Sequence, residues 1–252
     1  MNVYKISLMD AMAKLNIAVF CDLSFVRSAV YFSDLQEISM RLKSVTDFYF
    51  NFFQKIEFLP LGAFMMNYGG HYDFIKLSNY AGPLRRILNQ LDHKELISKD
   101  VIPIHMRYTA EDSMHLVVGI ARLENKADGF FHFVDLCLPN NLIRKVSQRT
   151  VYVGEILESY DRDHKQSLRD LVRLEGYNYN QFQRDCRDYF GDTFYSFLLK
   201  LKMMEAVADI IFTERSLKEI AFKNKFLDYP NMYKTFVRYG LNISKIPRLA
   251  YL

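Results

Sequence analysis

The chain carries the stretch SLKEIAFKNKFLDYPNMYKTF at residues 216–236, and a similar stretch, SLRDLVRLEGYNYNQFQRDC, at residues 167–186. Each opens with a serine that is followed three residues later by an acid, Asp170 in one copy and Glu219 in the other. A serine and an acid at this spacing form a capping box, because the two side chains satisfy free amide groups at the start of a helix. The pattern predicts that a helix begins at the same place in both stretches.

The two stretches also share their apolar positions. The matched pairs are Leu168 and Leu217, Leu171 and Ile220, Val172 and Ala221, Tyr177 and Phe226, and, after one extra residue in the second turn, Phe182 and Met232, Arg184 and Lys234, and Cys186 and Phe236. A duplicated helix-turn-helix fits this repeat. Between the copies, residues 193–214 space their apolar side chains as one long helix does. The C-terminal part is therefore predicted to be all-α, with two helix-turn-helix units joined by a long linker helix.

This C-terminal part resembles the AraC/XylS family of bacterial transcription regulators. The likeness covers about 85 residues, from residue 167 to residue 251, and includes Gly176 in the first turn, Gly191 after the first unit and Ala206 in the linker. The resemblance implies a regulator that binds double-stranded DNA in two successive major-groove segments and works with RNA polymerase. The alternative is a protein-interaction module that kept the fold and does not read DNA.

Two residues replace the family's usual residue types, and two acids are expected to change the charge beside the first recognition face. Lys225 replaces the glycine of the second turn, where it must either accept a left-handed backbone at some cost or reshape the turn. Lys202 stands where the family usually has Arg, and the pattern slips after residue 236. Asp185 and Asp188 are expected to put negative charge beside the first recognition face, which would weaken the attraction to phosphates.

The recognition helices are predicted at about residues 178–189 and 228–239, and they carry the candidate DNA contacts. Asn and Gln side chains suit adenine, and Arg suits guanine or phosphate. By resemblance, Asn180, Gln183 and Arg184 match family positions that touch bases, and Tyr233 and Lys234 match positions that contact DNA. The alternative is that they are solvated positions of structural helices. The candidates are Tyr179, Asn180, Gln183, Arg184 and Arg187 in the first unit, and Tyr229, Asn231, Tyr233, Lys234 and Arg238 in the second.

The N-terminal part mixes helix and strand patterns, so the whole chain is predicted to be α+β. Residues 33–58 have the period of an amphipathic helix that Ser33 can cap, and residues 79–98 are expected to be helical after Pro83. Tyr68-Gly69-Gly70 predicts a hairpin turn between two short strands. Three further strand-like runs, at residues 101–109, 114–124 and 129–139, are separated by polar turns and predict an antiparallel meander.

This order of elements resembles a PAS-type sensor domain, while another α+β sensor or a divergent barrel remains open. We place the domain boundary in the polar segment near residue 160, which gives a sensor or dimerisation domain at 1–160 and a DNA-binding domain at 161–252. By analogy, the N-terminal domain would bind a small-molecule effector, form a homodimer or hold a partner.

Charge and cysteine usage are compatible with a nucleic-acid partner and a reducing compartment. From residue 163 onward the chain has 15 Lys and Arg against 11 Asp and Glu, whereas the earlier part is neutral. This excess permits contact with a polyanion. The three cysteines are far apart, which predicts neither a disulfide framework nor a cysteine zinc site. No run of about 18 apolar residues and no signal peptide is present, so we expect a cytoplasmic protein without a membrane span.

Three histidines, His105, His115 and His132, fall one on each predicted strand of the meander. Histidines on neighbouring strands could bind a metal or a haem, although ordinary strand-surface histidines are favoured. No arrangement of nucleophile, acid and base stands out. The sequence therefore predicts a binding protein, not an enzyme, and assigns it no cofactor.

Overall fold

A computed structural model of the protein describes residues 1–23, 35–73, 86, 101–123, 128–160 and 167–250. The N-terminal part contains two long helices and a four-stranded sheet, and the elements after residue 147 are all helical. The described elements are α1 (Val3–Cys21), α2 (Leu35–Lys55), β1 (Phe64–Asp73), β2 (Val101–Thr109), β3 (Ser113–Leu123), β4 (Asp128–Pro139), α3 (Tyr152–Ser159), α4 (Leu168–Leu174), α5 (Tyr179–Phe190), α6 (Phe194–Phe212), α7 (Leu217–Lys223) and α8 (Tyr229–Arg238), with 3-10 turns at Asn140–Leu142, Gln148–Thr150 and Ile243–Lys245.

The sheet has the strand order β1-β4-β3-β2, and its neighbouring strands are antiparallel. The predicted meander of β2, β3 and β4 is confirmed. The predicted hairpin at residues 68–70 is wrong, because β1 runs through these residues without a break beside β4. Gly69 lies opposite His132, and a Cβ at Gly69 would be 2.8 Å from Nδ1 of that ring. The glycine is explained by this close cross-strand contact and not by a turn.

The first helix, α1, was not predicted from the sequence. Asn2 caps the start of this helix, because Asn2 Oδ1 accepts a hydrogen bond from the amide of Lys5 at 3.0 Å. The helix lies on β2, and Asp10 binds His105 at 2.9 Å and Arg107 at 3.2 Å. Helix α2 was predicted and is observed, whereas its Ser33 cap and most of the helix predicted at 79–98 lie outside the described residues.

One apolar core runs from the sheet through α1 and α2 to the C-terminal helices. At its centre the ring of Phe197 on α6 stacks between two other rings. Phe58, which follows α2, lies 5.5 Å away between centroids, and Phe190 at the end of α5 lies 4.0 Å away. All three side chains are almost completely buried. The C-terminal helices are therefore packed directly on the N-terminal part.

A polar cluster flanks this aromatic contact. Lys200 Nζ on α6 lies 2.6 Å from Asp192 Oδ2 and 3.3 Å from Glu57 Oε2. Lys5 Nζ on α1 donates a hydrogen bond to the carbonyl of Glu57 at 3.2 Å. Burial lowers the pKa of Lys5 to about 8, and the neighbouring charge of Lys200 acts in the same direction.

We predict that Phe197→Ala lowers the free energy of unfolding by about 3–5 kcal/mol, because it removes the middle ring of the stack. Tyr195→Ala on the same helix is the control, since Tyr195 is 54% exposed. That control should change stability by less than about 0.5 kcal/mol. Denaturant unfolding measures both values, and equal effects of the two substitutions would contradict the central position of Phe197.

We also predict a pH dependence that comes from Lys5. Below about pH 8 the amine is protonated in both states, so the full cost of burying its charge is present. Between about pH 8 and its usual pKa, the unfolded chain binds a proton that the folded chain does not, so stability rises with pH. The stability of the wild type relative to Lys5→Met should therefore increase between about pH 7.5 and about pH 9.5.

Thermal or denaturant unfolding at several pH values measures this difference. The matched control is Lys14→Met, because Lys14 is an exposed residue on the same helix. Its difference from the wild type should stay constant over the same range. A difference for Lys5→Met that is also constant would show that Lys5 does not titrate there.

Candidate nucleic-acid interface

The first helix pair consists of α4 and α5. Ser167 Oγ accepts a hydrogen bond from the amide of Asp170 at 3.2 Å and starts α4. The turn passes through Gly176, which has φ of +81°, and the amide of Tyr177 then donates to the carbonyl of Val172 at 3.0 Å. Asn178 caps α5 by accepting from two backbone amides. A side-chain cap thus starts each helix, and one left-handed residue forms the turn between them.

The second helix pair, α7 and α8, repeats this construction. Its capping box is complete, since the amide of Ser216 donates to Glu219 Oε2 at 2.7 Å and the amide of Glu219 donates to Ser216 Oγ at 3.3 Å. Lys225 has φ of +56°, and the amide of Phe226 donates to the carbonyl of Ala221 at 2.9 Å. Lys225 therefore accepts the left-handed backbone, and the turn keeps the form that glycine gives it in the first pair.

Two side chains of α6 support this second junction. Lys202 Nζ on α6 donates a hydrogen bond to the carbonyl of Lys225. Asp209, also on α6, is 6% exposed and accepts hydrogen bonds from Lys223 Nζ at 2.6 Å and Asn224 Nδ2 at 2.7 Å. Sequence reasoning missed Asp209. An acid between buried apolar positions of a helix was the signal that could have found it.

Burial follows the sequence repeat. Phe182 and Met232 are fully buried at equivalent positions of α5 and α8. The same holds for Cys186 and Phe236, whereas Arg184 and Lys234 between them are exposed.

The predicted DNA contacts lie mainly on the exposed sides of α5 and α8. Tyr179 and Tyr229 are the exceptions, because each is half-buried at the start of its helix. Asn231 is partly engaged, since its Nδ2 donates to the capping Asp228 Oδ1 at 2.6 Å. The exposed candidates are Asn180, Gln183, Arg184 and Arg187 on α5, and Asn231, Tyr233, Lys234 and Arg238 on α8.

A chain of hydrogen bonds connects Arg184 to the interior. Arg184 Nη2 donates to Gln181 Oε1 at 2.9 Å, and Gln181 Nε2 donates to Asp185 Oδ1 at 2.8 Å. The hydroxyl of Tyr152 on α3 donates to Asp185 Oδ2 at 2.6 Å, and burial raises the pKa of Tyr152, which keeps it protonated. These contacts orient the guanidinium of Arg184 before any ligand binds.

The expectation that Asp185 places negative charge beside the recognition face is wrong. Asp185 is 3% exposed and points inward to Tyr152, because α3 packs on that side of α5. Asp188 is exposed as expected. Sequence reasoning also missed Tyr152, since nothing local indicates a partner that lies 33 residues away. It missed Gln181 too, although the spacing of three and four residues to Arg184 and Asp185 was a local signal that could have found it.

The three strand histidines do not come together. His105 lies opposite Val118 and faces α1, where it binds Asp10. His115 lies opposite Tyr108 on the other face of the sheet and binds the buried carboxylate of Asp135 at 3.0 Å. Within the residues that the structure describes, no group of three or more His, Cys, Asp or Glu could hold a metal ion. The geometry therefore argues against a shared site of these histidines.

Residues 171–241 match the family model of a helix-turn-helix domain, of the AraC type. The C-terminal part contains a helix-turn-helix domain.

No curated protein and no solved structure matches the chain, so the likeness of the N-terminal part to a PAS domain has no support from these comparisons. Across the described ranges, no helix is both long and apolar enough to cross a membrane.

We predict opposite effects for two substitutions in the equivalent turns. Lys225→Gly should raise the free energy of unfolding by about 0.5–1 kcal/mol, because glycine adopts the left-handed backbone without steric cost. Gly176→Ala should lower it by about 1 kcal/mol, and the effect is one of backbone alone because no atom lies within 4 Å of the new Cβ. Denaturant unfolding measures both, and a neutral result at both sites would contradict the assigned strain.

Proposed function

We propose that the chain is a sequence-specific DNA-binding transcription regulator of the AraC type. Its two helix pairs would enter two successive major-groove segments, with α5 and α8 as the recognition helices. The observation that carries this proposal is the match of residues 171–241 to a helix-turn-helix domain, together with exposed polar side chains on both of these helices.

The first pair is suited to read bases. Asn180, Gln183 and Arg184 are exposed on α5, and amide and guanidinium groups form the bidentate contacts that distinguish adenine and guanine. Arg184 is held by Gln181, so it loses less conformational freedom on binding than an unrestrained side chain would. Tyr179 and Arg187 would contact phosphates beside these bases.

The second pair is suited more to the DNA backbone. Asn231 donates to the helix cap, which occupies one of its amide hydrogens. Lys234 and Arg238 are exposed cations, and Tyr233 is 45% exposed. Flexible cations and a phenol hydroxyl are typical phosphate contacts. We therefore assign α8 mainly to positioning and α5 mainly to base reading.

We further propose that residues 1–160 form the regulatory part, which senses an effector or forms a dimer. The support is their direct packing on α6, through Phe58 and Phe197, which gives them a physical route to the DNA-binding helices. Action on RNA polymerase and a cytoplasmic location follow from the resemblance to the AraC/XylS family.

Arg184→Ala should weaken specific DNA binding by about 1–3 kcal/mol and relax specificity at one base position. Arg149→Ala is the charge-matched control, because Arg149 is an exposed cation on the 3-10 turn Gln148–Thr150, outside both proposed recognition helices. Titration of labelled DNA with the full-length protein measures both affinities. Equal losses for the two substitutions would contradict the proposed recognition face.

The second candidate function is a protein-interaction module. It is favoured by Phe222 and Leu227, which flank the second turn and are 84% and 87% exposed. Asp185 and Lys225, which depart from the family pattern or charge, add little to this candidate, because Asp185 is buried and Lys225 keeps the turn. A salt series separates the two functions, since binding through phosphates falls steeply as salt rises. No retention of DNA even at low salt would favour the interaction module.

A further inference from the structure

An apolar cavity of about 100 Å³ lies between α1, α2 and one face of the sheet. It is half-open, and side chains from all three elements and from the end of α6 line it. Representative lining residues are Met12 and Ala13 of α1, Phe53 of α2, Val118 and Val134 of the sheet, and Phe212 of α6.

The walls of the cavity limit its occupant to an uncharged molecule. The described lining residues include no charged side chain. An ion placed there would lose part of its hydration without gaining a counter-charge, which is unfavourable. The polar lining groups are Thr46, whose hydroxyl donates to the carbonyl of Leu42 at 2.9 Å, and the pair Asn16 and Tyr49.

The pair of Asn16 and Tyr49 offers one polar anchor point. Asn16 Nδ2 donates to the hydroxyl of Tyr49 at 3.0 Å, and both side chains are at most 9% exposed. Burial raises the pKa of Tyr49, so the phenol stays neutral. A hydroxyl group on a ligand could exchange hydrogen bonds with this pair.

The volume indicates the size of the occupant. An apolar cavity of about 150 Å³ in another protein stays dry and binds benzene, and the cavity here is of the same order. We propose that it binds a small uncharged molecule with one aromatic ring or a short aliphatic chain and at most one hydroxyl group, of which phenol is a suitable probe.

Binding at this position would reach the DNA-binding helices through Phe212. Phe212 is the last residue of α6, and it precedes the Ser216 cap of α7 by four residues. The next residue, Thr213, is fixed by a hydrogen bond from its hydroxyl to the carbonyl of Asp209 at 2.7 Å. An occupant in contact with Phe212 would therefore bias the position of the second helix pair. This coupling rests on the proposed function, whereas the binding itself does not.

Thermal unfolding of the full chain with benzene, phenol and benzoate tests the site. At about five times the dissociation constant, benzene and phenol should raise the melting temperature by about 2–4 °C. Benzoate has the same ring and a charge, and it should give no shift. No shift with either neutral probe, or an equal shift with benzoate, would overturn the proposal.

Two alanines on α1 supply a matched pair of variants. Ala13→Leu fills the cavity and should abolish the shift, whereas Ala11→Leu places the same side chain on the exposed side of the helix and should retain it. A folded Ala13→Leu that keeps the shift would overturn the proposal. The benzoate comparison on the wild type holds even if Ala13→Leu does not fold.

DNA binding measured in the same samples separates this inference from the proposed function. DNA binding without a phenol shift would reject the cavity as a ligand site and leave the regulator standing. A phenol shift without DNA binding at low salt would support the ligand site and reject the regulator. A phenol shift together with a change in DNA affinity, absent in Ala13→Leu, is the expected result.

Discussion

The stack of Phe58, Phe197 and Phe190 is the contact on which the rest of the structure depends. It joins the N-terminal part to α6 and α6 to the end of α5 within one buried group of rings. Farther along α6, Asp209 holds the end of α7, next to the turn of the second helix pair. One helix thus connects the sheet-bearing part and both helix pairs, so a displacement at any of these contacts is transmitted along a rigid element.

The length of α6 suits the proposed mode of DNA binding. Its 19 residues span about 28 Å at the usual rise of an α-helix. One turn of the DNA double helix, which separates successive major-groove segments on the same face, is about 34 Å. A linker of this length can hold two recognition helices near that spacing, and its buried side chains keep the spacing from varying.

The sequence predicted those features that local patterns determine. The repeat, its serine caps, the linker helix and the meander each follow from spacing within a few residues. The match of Lys225 with Gly176 left a left-handed backbone and a reshaped turn both open, and the structure shows the left-handed backbone. The features that were missed depend on distant partners. Gly69 is explained by the ring of His132, and Asp185 by the hydroxyl of Tyr152. Helix α1 was missed because its buried and exposed apolar residues do not form a single stripe.

Selection of bound DNA from a random pool by the full-length protein tests the central claim most directly. If α5 and α8 both enter the major groove, the selected sequences should contain two blocks about one helical turn apart, roughly 10 base pairs between centres. The block read by α5 should be the more strongly specified, since the side chains suited to base edges are concentrated there. A pool that shows no enrichment at low salt would contradict the account, and a single block would restrict DNA reading to one helix pair.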